Sequence, residues 1–201
     1  MASQKKRSTL YSTGFMIGLT IILITLLGVL NQVTKPTIEK IEAEQVLTAI
    51  LNSAGIDYTA DTINQVYDDN IRKVSSDSDE RGVYEIVQNG ELQGYVFEYA
   101  GGALWGEVRG YIGIDKDLTT ILGVDIVKNN ETPGLGGRIT EDWFKDQFKG
   151  IPIDAERDFL IYRPNDGGNV DAITGATQTS DAMRRIFNQE IRDFVQSVKG
   201  D

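Results

Sequence analysis

Residues 83–100 read VYEIVQNGELQGYVFEYA, and the fold class of this chain follows from them. Two runs with alternating apolar side chains flank the dipeptide Asn89-Gly90, which is the strongest short signal for a β-hairpin. Two more alternating runs follow at 107–114 and 119–127, and a turn at 115–117 joins them. The pattern predicts a twisted antiparallel meander of four strands.

The residues on the N-terminal side of the hairpin have helical and polar patterns. Apolar residues after Pro36 recur with a period of 3.6, which predicts a helical stalk over 34–75 that begins near this proline. A weaker helix is predicted over 61–71, and the polar run at 73–82 predicts a loop. The domain that contains the sheet is predicted over 76–201.

The residues on the C-terminal side add further elements. Thr140 is placed to cap a short helix over 141–148, and FLIY at 159–162 predicts one more buried strand. The last helix is predicted over 179–198, and its apolar residues form one stripe that can lie on the sheet. These residues are Met183, Ile186, Phe187, Ile191, Phe194, Val195 and Val198. The predicted class is therefore α+β, an antiparallel sheet packed by helices.

The N-terminal segment has the composition of a membrane anchor. Residues 10–33 are 24 uncharged residues, which as a helix at ~1.5 Å per residue reach ~36 Å and cross a hydrocarbon core with some tilt. A cleaved signal peptide is the alternative, but no small-residue cleavage pattern follows the apolar segment. Basic residues at 5–7 place residues 1–9 in the cytoplasm. We expect a single-pass protein of the cell membrane with an extracytoplasmic domain.

The composition limits the chemistry of the chain. The absence of Cys and His excludes disulfides, thiolate zinc sites, Cys-ligated iron-sulfur clusters and His-ligated haem. Any redox chemistry must then belong to an organic cofactor, and we predict no metal site and no catalytic residue. A net charge of -10 argues against a nucleic-acid partner, because phosphate backbones need clustered Lys and Arg.

Two loops stand out as candidate sites. NNETPGLGG at 129–137 predicts a sharp turn, and a plain connector between a strand and a helix explains it equally well. DAITGATQTS at 171–180 precedes the last helix. Its hydroxyl groups fit a helix cap, an anion seat at the helix N-terminus, or a nucleophile that carries a covalent group. The residues alone leave these three interpretations open.

Both loops resemble known motifs. DAITGATQTS resembles the flavinylation motif D-x-x-[ST]-G-A-T-x-[ST] of bacterial membrane redox proteins, in which the threonine after Gly-Ala carries FMN. NETPGLGG resembles a loop shared by the G subunit of Rnf complexes and the C subunit of the sodium-translocating NADH:quinone oxidoreductase. With GALWGEVRGYIGID at 102–115 and the N-terminal span, the resemblance covers nearly the whole chain.

The resemblance implies one FMN per chain, attached to Thr177 through a phosphoester by a separate FMN transferase. The sequence recognised by that transferase would be Asp171, Thr174, Gly175, Ala176 and Thr179. The flavin ring would lie toward the glycine-containing loop, with Leu135 and Trp105 as apolar or stacking contacts. The loop residues expected at the cofactor are Glu131, Thr132, Pro133, Gly134, Leu135 and Gly136.

The resemblance also implies a function. The chain would relay electrons as a subunit of an Rnf-type, ion-translocating ferredoxin:NAD+ oxidoreductase, beside multi-span flavin and iron-sulfur subunits. A subunit of the sodium-translocating NADH:quinone reductase and a stand-alone flavinylated carrier are the alternatives within redox chemistry. An anchored binding or structural domain, whose glycine loops are only turns, is the alternative of another class.

The predicted topology can be tested with a reporter enzyme. Alkaline phosphatase fused to the C-terminus should be active, because this enzyme works outside the cytoplasm and the positive-inside rule exports the main domain. The same fusion after residue 9 should be inactive and serves as the control. A C-terminal fusion that is well expressed but inactive would contradict the predicted orientation.

Overall fold

The computed structural model describes the backbone of residues 2–74 and 81–200 and the side chains of residues 11–74 and 81–200. The chain divides into two compact units, residues 1–44 and residues 45–201. The predicted loop at 73–82 lies mostly outside the described residues. The predicted boundaries at 34, 75 and 76 stay predictions.

Helix α1 spans Ala2–Ala54 without a break. Pro36 lies inside this helix, so the prediction that a separate stalk helix begins near Pro36 is wrong. The stretch Tyr11–Ala54 is long and apolar enough to cross a membrane. The hydroxyl groups of Thr20 and Thr25 donate to carbonyl groups four residues earlier. These bonds satisfy polar groups that a lipid environment could not.

Five antiparallel strands form one sheet in the order β1-β2-β3-β4-β5. The strands are β1 Ile71–Val74, β2 Val83–Gln88, β3 Glu91–Gly102, β4 Glu107–Asp115 and β5 Ile121–Lys128. Asn89 and Gly90 both have positive φ angles, of 53° and 81°, as the tight turn of a two-residue hairpin requires. The predicted hairpin and antiparallel meander are confirmed, and the α+β class with them.

Strand β1 was not predicted. The helical pattern at 61–71 ends earlier, because α2 covers Ile63–Asn70, and the next four residues pair with β2. Ile71 is the one buried residue of β1, and it lies opposite Ile86. With only one buried residue, β1 has no alternation of apolar and polar side chains that could predict a strand. Its extended conformation is instead stabilised by pairing with β2.

The sheet is covered on both faces. The end of α1 packs with α2 on one face, where Ile50 and Leu51 join Ile86, Val96 and Tyr111 in an apolar cluster. The other face is covered by the segment after β5 and by the last helix, α4, which spans Thr177–Gly200. The sheet therefore forms the middle layer of residues 45–201.

Helix α4 lies on the sheet through the predicted apolar stripe. Met183, Phe187 and Ile191 are fully buried. Phe194 stacks on Phe97 of β3 with ring centroids 4.2 Å apart, a contact worth about 1 kcal/mol beyond the buried area. This packing fixes the axis of α4, and with it the position of the first helical turn.

Two predictions for the residues between β5 and α4 are wrong, namely the helix cap at Thr140 and the strand at 159–162. Thr140 does not cap a helix, because it ends the 3-10 turn Gly136–Thr140 and its hydroxyl donates to the Gly137 carbonyl. The short helix that follows, α3 at Asp142–Asp146, has Glu141 at its N-cap.

In FLIY at 159–162, Phe159, Leu160 and Tyr162 are buried, but the segment is not a strand of the sheet. The Asn188 side chain accepts hydrogen bonds from the N–H groups of Phe159 and Leu160, and the Asn169 side chain accepts one from Ile161. Side-chain amides therefore satisfy the N–H groups of these three residues, and a single isolated bridge between Tyr162 and Val170 takes the place of a strand. The apolar pattern predicted burial correctly and strand pairing wrongly.

A glycine in β4 sets how closely α1 approaches the sheet. A Cβ atom at Gly113 would lie 1.9 Å from the Ser53 carbonyl oxygen, a separation that no side chain can occupy. The Ser53 hydroxyl also donates to the carbonyl of Tyr111 at 3.0 Å. The last turn of α1 is thus in backbone contact with β4.

We expect Gly113→Ala to lower the free energy of unfolding by roughly 1–3 kcal/mol, because the new methyl group must displace helix backbone. Gly102→Ala is the matched control, since a Cβ there has no atom within 4 Å, and it should change stability by less than about 0.5 kcal/mol. Urea unfolding followed by circular dichroism measures both. Equal stabilities of the two variants would contradict the close approach.

Candidate functional site

The segment that leads into α4 is a tight turn. The N–H of Ala176 donates to the carbonyl of Ile173 at 3.0 Å, and Gly175 has a φ of +80°, which only glycine adopts without strain. The Ser180 hydroxyl accepts a hydrogen bond from the Ile173 N–H at 2.9 Å. The first turn of the helix thus ties back to the segment before it, and Thr177 becomes the first helical residue.

The start of α4 leaves backbone donors without acceptors. The N–H groups of Thr177, Gln178 and Thr179 have no hydrogen-bond acceptor among the described residues. The hydroxyl of Thr177 is exposed and likewise has no partner within the described part of the chain. Free N–H groups and the positive end of the helix dipole together favour an anion here.

The members of the 171–180 segment differ in exposure. Asp171, Thr174, Gly175 and Thr177 are exposed, so another protein can reach them. Ala176 is buried in the core of the sheet and α4. Thr179, at 1% exposure, is closed off completely.

The loop after β5 is folded around one carbonyl group. The Thr132 carbonyl accepts hydrogen bonds from the N–H groups of Leu135 and Gly137 at 3.1 and 3.0 Å, and Gly134 provides the positive φ that the turn requires. Pro133 is exposed, as are Thr132 and Gly134. These three residues form the turn, and among the described residues their side chains make no hydrogen bond to the 171–180 segment.

Leu135 is the loop residue that lies next to Gly175 in the 171–180 segment. A Cβ atom at Gly175 would be 3.5 Å from Leu135 Cδ2, which is ordinary van der Waals contact. Leu135 is nevertheless 47% exposed, and Trp105 is 65% exposed. Both side chains thus offer apolar surface to solvent, as a site for a planar ring would.

Glu131 connects three segments. Its carboxylate is 6% exposed, accepts the Trp105 N–H through Oε1 at 2.9 Å and accepts the Thr179 hydroxyl through Oε2 at 2.6 Å. Gly136 closes around this contact, since a Cβ there would be 2.6 Å from both Oε2 and the Thr179 oxygen. The structure therefore brings Glu131, Gly136, Trp105 and Thr179 together.

Some residues of the site were not predicted from the sequence. The Gln147 side chain accepts a hydrogen bond from the Asp171 N–H at 2.6 Å and donates one to the Asp171 carbonyl at 3.2 Å. The Asp171 carboxylate pairs with the guanidinium of Arg163 at 2.7 Å. Gln147 lies near the end of the predicted short helix, and nothing in its neighbourhood indicates a role 24 residues away.

A cleft also adjoins Thr177. It has a volume of about 480 Å³. It is lined by Ile161, Tyr162, Arg163, Asn165, Ala172, Thr177, Asp181 and Arg184. The two guanidinium groups are paired with aspartates, Arg163 with Asp171 and Arg184 with Asp158 and Asp181. The cleft wall is therefore mixed in charge.

Tyr162 binds the first turn of α4 from the interior of the domain. Its buried hydroxyl donates to the Ser180 carbonyl at 2.7 Å. Burial raises the pKa of the Tyr162 phenol well above its usual range, and nearby Asp181 raises it further, while Arg184 lowers it. The phenol is therefore neutral at all physiological pH values and acts as a fixed donor.

The site has the chemistry of an anion seat with an apolar border. No group of three or more acidic, His or Cys residues able to hold a metal occurs among the described residues. A hydroxyl nucleophile, free N–H donors and exposed apolar side chains fit a cofactor with a phosphate at one end and an aromatic ring at the other. The residues present thus suit FMN.

Comparisons with known proteins agree with this chemistry. Residues 103–192 match the family model of the FMN-binding domain. The chain is 29% identical to the G subunit of the Na(+)-translocating ferredoxin:NAD(+) oxidoreductase complex of Acetobacterium woodii, over 96% of this chain and 98% of that relative. It is 35% identical to the G subunit of the ion-translocating oxidoreductase complex of Methanosarcina acetivorans, over 57% of this chain and 58% of that relative.

A solved structure has the same fold. The crystal structure of the C subunit of the Na(+)-translocating NADH-quinone reductase from Parabacteroides distasonis aligns with a TM-score of 0.66 and 25% identity, over 80% of this chain and 95% of that one. The resemblance expected from the two motifs is therefore confirmed, as is the fold class.

The role of Tyr162 predicts a pH dependence. A phenol with a raised folded-state pKa contributes stability that is fully present below the ordinary value of 10.0 and is lost as the pH rises toward the folded value. Tyr162→Phe should cost about 1 kcal/mol at neutral pH through the lost hydrogen bond. Above pH 10, its free energy of unfolding should fall less steeply than that of the wild type, by up to about 1.4 kcal/mol per pH unit.

Urea unfolding at a series of pH values measures this difference. Burial also raises the pKa values of Tyr99 and Tyr111, but these residues titrate in both proteins, so the comparison isolates Tyr162. Near neutral pH the two curves should run parallel. Identical slopes above pH 10 would show that Tyr162 is not held as the structure places it.

Proposed function

We propose that this chain, which carries an FMN-binding domain at residues 103–192, relays electrons as a membrane-anchored subunit of an ion-translocating oxidoreductase, through FMN joined covalently to Thr177. The observation that carries the proposal is the exposed hydroxyl of Thr177 at a helix start, where three N–H groups have no acceptor in the described part of the chain. A hydroxyl in that place is open to a modifying enzyme, and its neighbours stabilise a phosphate afterwards.

The attachment reaction is a phosphoryl transfer. The Thr177 oxygen forms a bond to the phosphorus of the FMN half of FAD, the bond to the bridging oxygen of the pyrophosphate breaks, and AMP leaves. The hydroxyl proton passes to a base of the transferase, because this chain has no histidine and no carboxylate bonded to Thr177 in the described residues. The chain therefore acts as the substrate of a separate FMN transferase.

The exposure pattern supports recognition from outside. Asp171, Thr174, Gly175 and Thr177 lie on the surface, where a transferase can contact them directly. Gln147 and Arg163 hold Asp171 by its backbone and its carboxylate. Thr179 and Ala176 are buried, so their part in the motif is to hold the turn rather than to contact the enzyme.

The residues around Thr177 fit the attached group. The N–H groups at the start of α4 would hold the remaining negative charge of the phosphodiester, and Leu135 and Trp105 would contact the ring. Thr132, Pro133 and Gly134 shape the loop that carries Leu135. When bound, FMN supplies the one- and two-electron chemistry. The chain supplies position and an apolar border, and both side chains stay half open to partners.

Membership in an Rnf-type complex is the finer part of the proposal. The full-length match to the Acetobacterium protein, whose name gives a ferredoxin:NAD(+) oxidoreductase, supports it. The partners would then be multi-span flavin and iron-sulfur subunits in the same membrane. The structural match to the Parabacteroides protein supports the second candidate, a NADH:quinone reductase subunit. A stand-alone carrier is the remaining alternative, and co-purification with multi-span subunits in mild detergent distinguishes it from both complexes.

The apolar helix supports a location in the cell membrane. We infer one pass through the membrane, with residues 1–9 in the cytoplasm and Thr177 on the outer side. Attachment outside the cytoplasm requires that FAD and the transferase are present there as well. A covalent bond suits that location, because a cofactor held only by weak contacts at an open surface would be lost to the medium.

Thr177→Ala should abolish covalent flavin without unfolding the domain, because Thr177 is exposed and its hydroxyl has no partner among the described residues. Intact-mass measurement of protein from cells that express the transferase should show one FMN increment in the wild type and none in the variant. Ultraviolet fluorescence in a denaturing gel gives the same result independently.

Thr59→Ala is the matched control, since Thr59 is an exposed threonine outside the site, and it should be fully loaded. Thr177→Ser should keep partial loading because it keeps a hydroxyl. Covalent flavin on Thr177→Ala would place the attachment elsewhere, and an unmodified wild type would leave an anchored domain without a redox role.

A further inference from the structure

Glu131 was expected at the cofactor, but its oxygens already have protein partners. Both are bonded to N–H or O–H donors of the chain, and the side chain is buried. A buried carboxylate is retained at a cost in desolvation, which its hydrogen bonds must offset. The two donors come from different parts of the chain. We call this set, the Glu131 carboxylate with the Thr179 hydroxyl and the Trp105 N–H, the Glu131 bridge.

The Glu131 bridge determines where the Trp105 loop lies. This loop, residues 103–106, connects β3 to β4. It is closed by one internal hydrogen bond, which the Ala103 N–H donates to the Gly106 carbonyl at 2.8 Å. Trp105 itself is attached to the rest of the site through its N–H and Glu131. The indole side chain is mostly exposed, so packing does not hold it. The position of Trp105 relative to Thr177 therefore depends on the hydrogen bond from the Trp105 N–H to Glu131.

The other end of the bridge is on α4. Thr179 is two residues beyond Thr177, in the same helical turn, and its hydroxyl donates to Oε2 at 2.6 Å. The packing of α4 on the sheet fixes that hydroxyl. The Glu131 bridge therefore fixes the position of the Trp105 loop relative to α4, the helix on which Thr177 lies. A second contact also holds the Trp105 loop. The Asn130 side chain lies so close to Gly106 that a Cβ atom at Gly106 would be 2.7 Å from Asn130 Nδ2.

We propose that Glu131 is a positioning residue, whose bridge holds the Trp105 loop at a fixed place beside Thr177 and so sets the contact between indole and flavin. The proposal rests on the proposed function, because it presupposes FMN on Thr177. It assigns no contact between Glu131 and the cofactor. It also gives the last hydroxyl position of the flavinylation motif, Thr179, a role in holding the ring contact in addition to the turn.

The test uses the fluorescence of the flavin. An indole in van der Waals contact with an isoalloxazine ring quenches the ring's fluorescence by electron transfer from the indole, and the effect is lost within a few ångströms of separation. Fluorescence per covalently bound flavin therefore reports the position of Trp105. Trp105→Leu removes the indole and sets the unquenched reference. Stability alone does not change this quantity.

Glu131→Ala should raise fluorescence per flavin to the level of Trp105→Leu, because the loop loses its link to α4. Glu131→Gln should keep the wild-type value. Its amide oxygen can accept from the Trp105 N–H and its NH₂ group can donate to the Thr179 oxygen, so the geometry survives while the charge is lost. The double variant Glu131→Ala with Trp105→Leu should be no brighter than either single variant, as expected for two changes that act through one contact.

Two more variants distinguish a loss of stability from a loss of positioning. Asn188→Ala removes another buried side chain of α4 that bonds to a neighbouring segment, at Phe159 and Leu160. It should cost stability and leave the quenching unchanged. Gly136→Ala inserts a methyl group 2.6 Å from both ends of the Glu131–Thr179 bond, and it should raise the fluorescence even if Glu131→Ala fails to fold.

The outcomes separate this inference from the proposed function. A wild type without covalent flavin overturns both. A flavinylated wild type whose quenching is unchanged in Glu131→Ala and in Gly136→Ala overturns the positioning role alone. The same holds if Glu131→Gln is as bright as Glu131→Ala, because the charge and not the bridge would then matter. Folded bridge variants that receive no flavin would also overturn it, since the role assigned is in the loop and not in the transfer.

Discussion

The first turn of α4 is the constraint on which the site depends. A helix must leave its first N–H groups without intrahelical acceptors, and here three of them have no acceptor among the described residues. The apolar stripe of the same helix is buried against the sheet, so these donors cannot move away. Tyr162 and Ser180 then fix the turn from inside the domain. A long, well-packed helix thus holds a small and exposed group of donors in one place.

The composition of the chain agrees with a role in which no side chain of its own is redox-active. Without Cys or His, the chain has neither thiolate ligands nor a residue that titrates near neutral pH. The polar groups of the site are instead a hydroxyl, backbone N–H groups and a carboxylate that accepts two hydrogen bonds. Such groups bind and orient a cofactor, and none of them carries electrons itself. Chemistry at this site must then come from a bound group or from partner proteins.

The sequence predicted those elements whose signals are local. The Asn89-Gly90 turn, the alternation in β2 to β5 and the stripe on α4 each lie within a few turns or residues of chain, and all are present in the structure. Strand β1 and the pairing of residues 159–162 depend on distant partners, Ile86 in one case and Asn188 in the other. The motifs predicted which residues are candidates for the site. They did not distinguish exposed Thr177 from buried Thr179, because burial depends on Glu131, 48 residues earlier.

An open site and a covalent bond are linked by simple energetics. A pocket retains a cofactor by enclosing it, and an enclosed ring is far from the surface of a partner. Here Trp105 and Leu135 are about half exposed or more, so they can cover one face of a ring but cannot enclose it, and the affinity from such a contact is small. A phosphoester removes the need for affinity, since the cofactor cannot leave. If FMN is attached as proposed, the exposed geometry is therefore an advantage, because one face of the ring remains available to electron donors and acceptors.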